Sequence, residues 1–356
     1  MRLNAGFGAV AALASAGLLA GALLDESSLA VYVLLTLTAS VTVGISLLMG
    51  HGGQVSLGQG AFYATGAYAA GLLATHGVPT WLGLVAAPCA AAALASVVGV
   101  PLLLLRGHHL AFATLALHLI FLSLVSELSV TGGDVGLQGI PRLTLLGVSF
   151  TSVRSYAYLS SLALLVVVVI ARNILASRPG RALRALSSSE VAAASSGVAV
   201  GQYKLALFAL SAAFAGLAGG IYAFYLGYIA PGSFPVMLSI EYIVMAAVGG
   251  LGRISGGLLG SAFVFLLVHG LSRLATSSGM PDTAPIILSY AVYAVLLVAA
   301  VLFLPEGLIG LAQVLWLRGR TARGARANRE PSLTPNGATR NSPPRDAVAT
   351  KQGSVS

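Results

Sequence analysis

Charge is what this chain has least of. Only 8% of its 356 residues are Asp, Glu, Lys or Arg, and its mean hydropathy is +0.92, whereas about a quarter of a water-soluble domain is charged. A soluble globule is excluded. Lysine is confined to Lys204 and Lys351, and no G-x-x-x-x-G-K-S/T run occurs, so the chain lacks the phosphate-cradling loop used for ATP hydrolysis. Its one cysteine, Cys89, sits in the apolar run AAPCAAAALA. An intrachain disulfide and a cysteine metal cluster are therefore ruled out, and Cys89 reads as a small packing residue. No pair of His, Ser or carboxylate residues recurs at helical spacing, so no catalytic constellation or bound cofactor is expected.

Apolar runs of 18 or more residues, long enough to cross roughly 30 Å of hydrocarbon as helices, recur as far as Pro305. A membrane β-barrel would alternate apolar and polar residues, and LALLVVVVIA at 162–171 does not. The expected fold is an all-α integral membrane bundle of about 8–10 spanning helices. Spans are placed near 5–24, 29–49, 58–76, 80–105, 109–127, 156–172, 205–230, 237–250, 256–274 and 285–304. The run after Arg2 reaches Leu24, longer than the 7 to 15 residues of a signal-peptide core, and reads as a retained span. The 237–250 span is too short for a full crossing and Gly50–Gly60 is rich in glycine, so broken or re-entrant helices are expected there.

One set of loops holds Arg2, Arg106, Arg172, Arg178, Arg181, Arg184, Lys204 and Arg253, and the opposite set holds Asp25, Glu26, Glu127, Asp134, Glu241 and Asp282 with only Arg142, Arg154 and Arg273. The positive-inside rule then places both termini in the cytoplasm. The chain divides into an N-terminal helix and outer loop at 1–28, a transmembrane domain at 29–312 with a cytoplasmic loop at 173–204, and a basic tail at 313–356. Eight of the 19 Lys and Arg residues lie from Arg318 onward in a segment poor in large apolar residues. That tail reads as disordered, with its charge beside lipid headgroups rather than nucleic acid.

Within the spans, polar groups are few. Gln54, Ser56 and Gln59 lie among glycines in GHGGQVSLGQGAFYATGAYAAGLL. That stretch serves either tight helix packing or the lining of a translocation path. His118 lies deep in its span and reads as a neutral side chain hydrogen-bonded to a neighbouring helix. The stretch TGGDVGLQGIP (131–141) spells tight turns. VGGLGRISGGLLG (248–260) reads as a turn at Arg253 between closely packed helices.

Taken in order, these blocks resemble the branched-chain amino acid permease family of ABC importers over roughly residues 30–312. The resemblance rests on Gly53, Gln54, Ser56, Gly58, Phe62 and Gly66–Tyr68; on Leu105–Gly107, Leu110, Ala111, Thr114 and Leu115; and on Thr131–Pro141. It continues through Ser177, Arg178, Gly180–Ala185, Glu190, Ala192, Ala193 and Gly197, then Ser211–Gly219, Pro231–Phe234, Val248–Gly252 and Leu304–Leu308. In two places the chain departs from the pattern: Gln59-Gly60 stands where His-Ala is common, and few charges flank Glu190.

The resemblance implies a permease that pairs with a second, similar permease and receives its solute from an extracytoplasmic binding protein. Two cytosolic subunits that use ATP and Mg would drive it. It also implies a coupling loop for those subunits at Arg178, Gly180, Arg181, Arg184, Glu190, Ala192, Ala193 and Gly197. The solute would be a branched-chain or related small amino acid, and an amide or urea is within the family's range. An ion-coupled secondary transporter is the alternative, and it would need carboxylates at bilayer depth.

Overall fold

The computed structural model describes Gly17, Gly21 and residues 24–105, 107–145, 147–277, 284–303 and 307–308. The expected span at 5–24 apart from those two glycines, Arg106, Asp282, Leu304–Glu306 of the closing block and the basic tail lie outside the described residues.

Eleven α-helices occur among them: α1 (Glu26–Gly52), α2 (Gln59–Thr75), α3 (Thr80–Leu102), α4 (His108–Glu127), α5 (Val153–Ala176), α6 (Arg178–Ser188), α7 (Glu190–Ser195), α8 (Val200–Leu226), α9 (Met237–Gly249), α10 (Ile254–Ser277) and α11 (Ala284–Phe303). Seven helical segments are long and apolar enough to cross a membrane. The expected all-α membrane bundle is what is found, and each expected span from 29 onward coincides with one helix to within a few residues. The exposed faces are apolar, as a lipid-facing surface requires: Phe112, Leu119, Ile120 and Leu124 of α4 all point outward. Cys89 is a correction, because it is exposed on α3 rather than packed inside.

Two groups of helices share α1. One joins it to α2, α3 and α8, the other to α9, α10 and α11. Lipid offers an apolar side chain as good a home as a neighbouring helix does, so close packing rather than hydrophobic burial must hold such a bundle together. The buried positions of α3 recur every fourth residue as Gly83, Ala87, Ala91, Ala95 and Gly99, a stripe one small side chain wide. Gly216 and Gly220 of α8 lie against Ala91 and Ala87. On the other side of α8, a methyl group added at Gly219 would fall on the Tyr63 carbonyl oxygen, and one at Gly66 would fall on the Gly216 backbone. The second group is built alike: Gly249 meets Gly256, and Gly257 meets the Val43 backbone.

The α9–α10 turn is the tight one expected around Arg253. Gly252 takes a φ of 75°, a left-handed backbone that suits glycine. Its N–H donates to the Ser46 carbonyl at 2.9 Å. At the opposite end, Gly132, Gly133, Gly136 and Gly139 all have positive φ. They let the loop after α4 fold onto the chain leaving α8, where Leu137 and Ile229 exchange hydrogen bonds of 2.8 and 3.1 Å. A short β-hairpin, β1 (Thr144–Leu145) with β2 (Val148–Ser149), completes this end.

Apart from α6 and α7, helices α2 and α9 are the shortest, at 17 and 13 residues, about 26 and 20 Å long at 1.5 Å per residue. Each follows a segment without α-helix, 53–58 or 227–236, and each begins beside His118 of α4. These are the expected broken helices. Their backbone is irregular at membrane depth, where it must find partners within the protein.

Candidate functional site

His118 is the node at which both interrupted segments meet. It is fully buried. Its Nε2 donates to the Phe234 carbonyl at 3.2 Å and its Nδ1 accepts from the Ser239 hydroxyl at 3.2 Å. The Ser239 oxygen accepts the Gly60 N–H at 2.9 Å. One chain of bonds thus joins α2, α4 and α9, and both ring nitrogens are satisfied with the imidazole neutral, as expected from the sequence. Gly60 makes this possible, since a Cβ there would strike the His118 ring. The departure at Gln59-Gly60 thus has a local reason: the imidazole occupies the space that an alanine methyl would need. Replacing His118 by Leu is expected to destabilise the protein by about 2 kcal/mol, because the Phe234 carbonyl and the Ser239 hydroxyl lose their partners. The midpoint of thermal unfolding in detergent reads this directly.

The three predicted path residues are all buried on the segment leading into α2. Gln59 donates from Nε2 to the Ser211 hydroxyl at 3.1 Å, and Ser56 Oγ accepts the Gly58 N–H at 3.3 Å. Gln54 is different. Neither its amide oxygen nor its nitrogen has a partner among the described residues, and the Gln59 oxygen also lacks one. Buried amides are rarely left so. Gln54 lines a cavity of about 540 Å³ whose wall also includes Gly53, Glu190, Val191 and Lys204. The structure therefore brings one predicted path residue and one predicted coupling residue to the same cavity, although 136 positions separate them.

The coupling loop forms two short helices. Gly180, Leu183 and Leu186 are the buried face of α6, and Gly180 fits only as glycine because a Cβ would meet the Leu175 and Ile174 carbonyls. Arg184 donates to the Leu175 carbonyl at 2.7 Å, while Arg178 and Arg181 are exposed. Ser189 caps α7 by accepting the Ala192 N–H, a favoured role for serine. Lys204 of α8 donates to the Glu190 carboxylate. Ala193 is buried, whereas Ala192 and Gly197 are exposed. Of the predicted loop residues, Gly180 and Ala193 hold the loop to the bundle and the others face outward. Val191, which the motif passes over, is 81% exposed.

A family model described as branched-chain amino acid transport system, permease component, matches residues 26–301, from the first residue of α1 to the last turns of α11. The chain belongs to this permease family. It is 34% identical over 247 residues to the high-affinity branched-chain amino acid transport system permease protein LivM of Escherichia coli (strain K12). It is equally similar to that of Salmonella typhimurium (strain LT2). Each alignment covers 62% of this chain and 57% of the relative, so the permease spans little more than half the length of the curated relatives it matches. No solved structure matches the chain.

One residue of the permease corrects the sequence reading. Glu241 was expected in an outer loop, but it lies within α9 and lines a second cavity of about 290 Å³ together with Tyr63 of α2. Helix α9 begins inside the bundle, so a carboxylate four residues past its start remains among the spanning helices. The expected span at 237–250 already contains Glu241, so its charge belongs with that span and not with the outer loops. The two cavities are linked along the chain: Gln54 lines the first, Tyr63 the second, and the buried Ser56 and Gln59 lie between.

Proposed function

We propose that this chain is the membrane permease of an ABC importer that moves branched-chain or related small amino acids into the cytoplasm. The observation that carries the reading is the cavity shared by Gln54 and the Glu190–Lys204 pair, as expected if a docking loop lies against the lining of a path. A partner that moves α7 would then act directly on the segment leading into α2. The power must come from elsewhere, since the chain has no phosphate-cradling lysine loop. Two cytosolic subunits would hydrolyse ATP with Mg, and this chain would be a transporter subunit rather than an enzyme. A second, similar permease and an extracytoplasmic binding protein would complete the assembly.

In this reading, the end of the bundle carrying Arg178–Lys204 faces the cytoplasm, by the positive-inside rule. Residues 29–312 form the transmembrane domain, 1–28 a preceding helix and outer loop, and 313–356 a basic cytoplasmic tail beside anionic lipid. Gln54, Ser56 and Gln59 line the path, and Arg178, Arg181, Arg184, Glu190, Ala192 and Gly197 face the ATPase, with Gly180 and Ala193 as its anchors.

The test is uptake of labelled leucine by liposomes holding the full complex. Uptake that needs both ATP and the binding protein is the expected result. Uptake by this chain alone, driven by a proton or sodium gradient, would overturn the reading in favour of a secondary transporter.

A further inference from the structure

The cavity around Glu241 is unusual in its chemistry. Tyr63, Tyr222, Tyr242 and Tyr293 all contribute to its wall, and the Tyr63 ring lies 5.5 Å from that of Tyr222 and 6.4 Å from that of Tyr242, centroid to centroid. Tyr293 of α11 shares this wall with the Glu241 carboxylate. Among the described residues no Lys or Arg lines this cavity, and Arg273 lines a neighbouring one. The remaining wall is mixed: Leu238, Met245, Phe265 and Val268 are apolar, and Thr38, Ser233, Ser272 and the imidazole of His269 are polar. A carboxylate among spanning helices is costly and marks a solute or ion pathway. Here the lining supplies hydrogen-bond donors and electron-rich rings but no fixed positive charge, so the missing element is a cation. Aromatic faces attract such a group, and the apolar part of the wall suits a short aliphatic chain attached to it.

We propose that this cavity binds the ammonium group of a small aliphatic amino acid, with Glu241 as counter-ion and the Tyr63, Tyr222 and Tyr242 rings around the cation. A volume of about 290 Å³ lies at the lower bound for small-molecule sites, which fits a solute of leucine's size and excludes a peptide. The site stands one helical turn along α2 from Gln59, at the head of the segment that leads to Gln54. The choice of ligand rests on the importer reading, but the recognition chemistry does not.

Two probes of the same shape separate the charge from the hydrocarbon: 3-methylbutylamine, a cation at neutral pH, and the neutral 3-methylbutan-1-ol. Calorimetric titration into the full chain in detergent is expected to show the amine binding about 30-fold or more tightly than the alcohol, the scale on which a buried charge loses its partner. Glu241→Gln is expected to bring the amine to the level of the alcohol. Equal binding of the two probes by the unmodified chain would overturn the proposal, as would full amine affinity in the variant. The probe comparison needs no variant, so misfolding of Glu241→Gln would not rescue the idea. Failure of ATP-dependent uptake by the unmodified complex would instead remove the importer reading and leave this site standing.

Discussion

Gly219→Ala is expected to prevent the bundle from forming properly, at a cost of about 3 kcal/mol or more, the upper range for overpacking. The new methyl group would fall on the Tyr63 carbonyl oxygen, a backbone atom that no rotamer change can move aside. Relief would require α2 and α8 to separate, and with them the Gln59–Ser211 hydrogen bond and the contacts of Gly66 with Gly216. The control is Gly270→Ala in α10, where nothing lies within 4 Å of the added atom. There the usual helix preference for Ala over Gly applies, and stability should hold or rise by about 0.5–1 kcal/mol. Thermal unfolding of the two purified variants, side by side, checks the contrast. Equal midpoints would show that the α2–α8 contact is softer than its geometry implies.

Val191→Asp is expected to cut transport sharply while leaving the permease folded. Val191 is 81% exposed on a helix of six residues, and its neighbours Ala192 and Ala194 are exposed as well. A docking partner seated beside the Glu190–Lys204 pair would bury this side chain, and a carboxylate in its place would be stranded there without a partner. Placing a carboxylate there should lower ATP-driven leucine uptake by about 10-fold or more, with insertion and thermal midpoint unchanged because the side chain touches little of the bundle. Ala193→Asp, one position along, should instead dislodge α7 itself, because Ala193 is buried. Normal uptake in Val191→Asp would remove α7 from the docking surface. Glu190→Ala is a weaker test, since an exposed ion pair contributes about 1 kcal/mol or less.

Much of this protein could be read from its residues in order. Hydropathy runs located every helix from α1 to α11 except the short, polar α6 and α7, because a segment that must satisfy its own backbone in lipid has to be an apolar helix. The glycine patterns at 131–141 and 248–260 announced turns, since a positive φ leaves few alternatives to glycine. The 237–250 span announced a broken helix because its length did not match the bilayer, and the stretch after Gly50 did so because it is rich in glycine. The motif order carried the family, which the match over residues 26–301 bears out.

What depended on the tertiary structure was which of these elements meet. That His118 would bind Ser239 and Phe234, 121 and 116 positions away, and that Gly60 would be the glycine that makes room for it, follow from helix packing rather than from any local pattern. The same holds for the exposure of Cys89, since a uniformly apolar helix gives no sign of which face meets lipid. It holds for the cavity that joins Gln54 to Glu190, and above all for Glu241. Composition determined that the chain lives in a membrane and that it crosses as helices, because those are matters of solvation, settled residue by residue. That Glu241 faces a cavity ringed by tyrosines from α2, α8, α9 and α11 was decided only by the packing of distant helices.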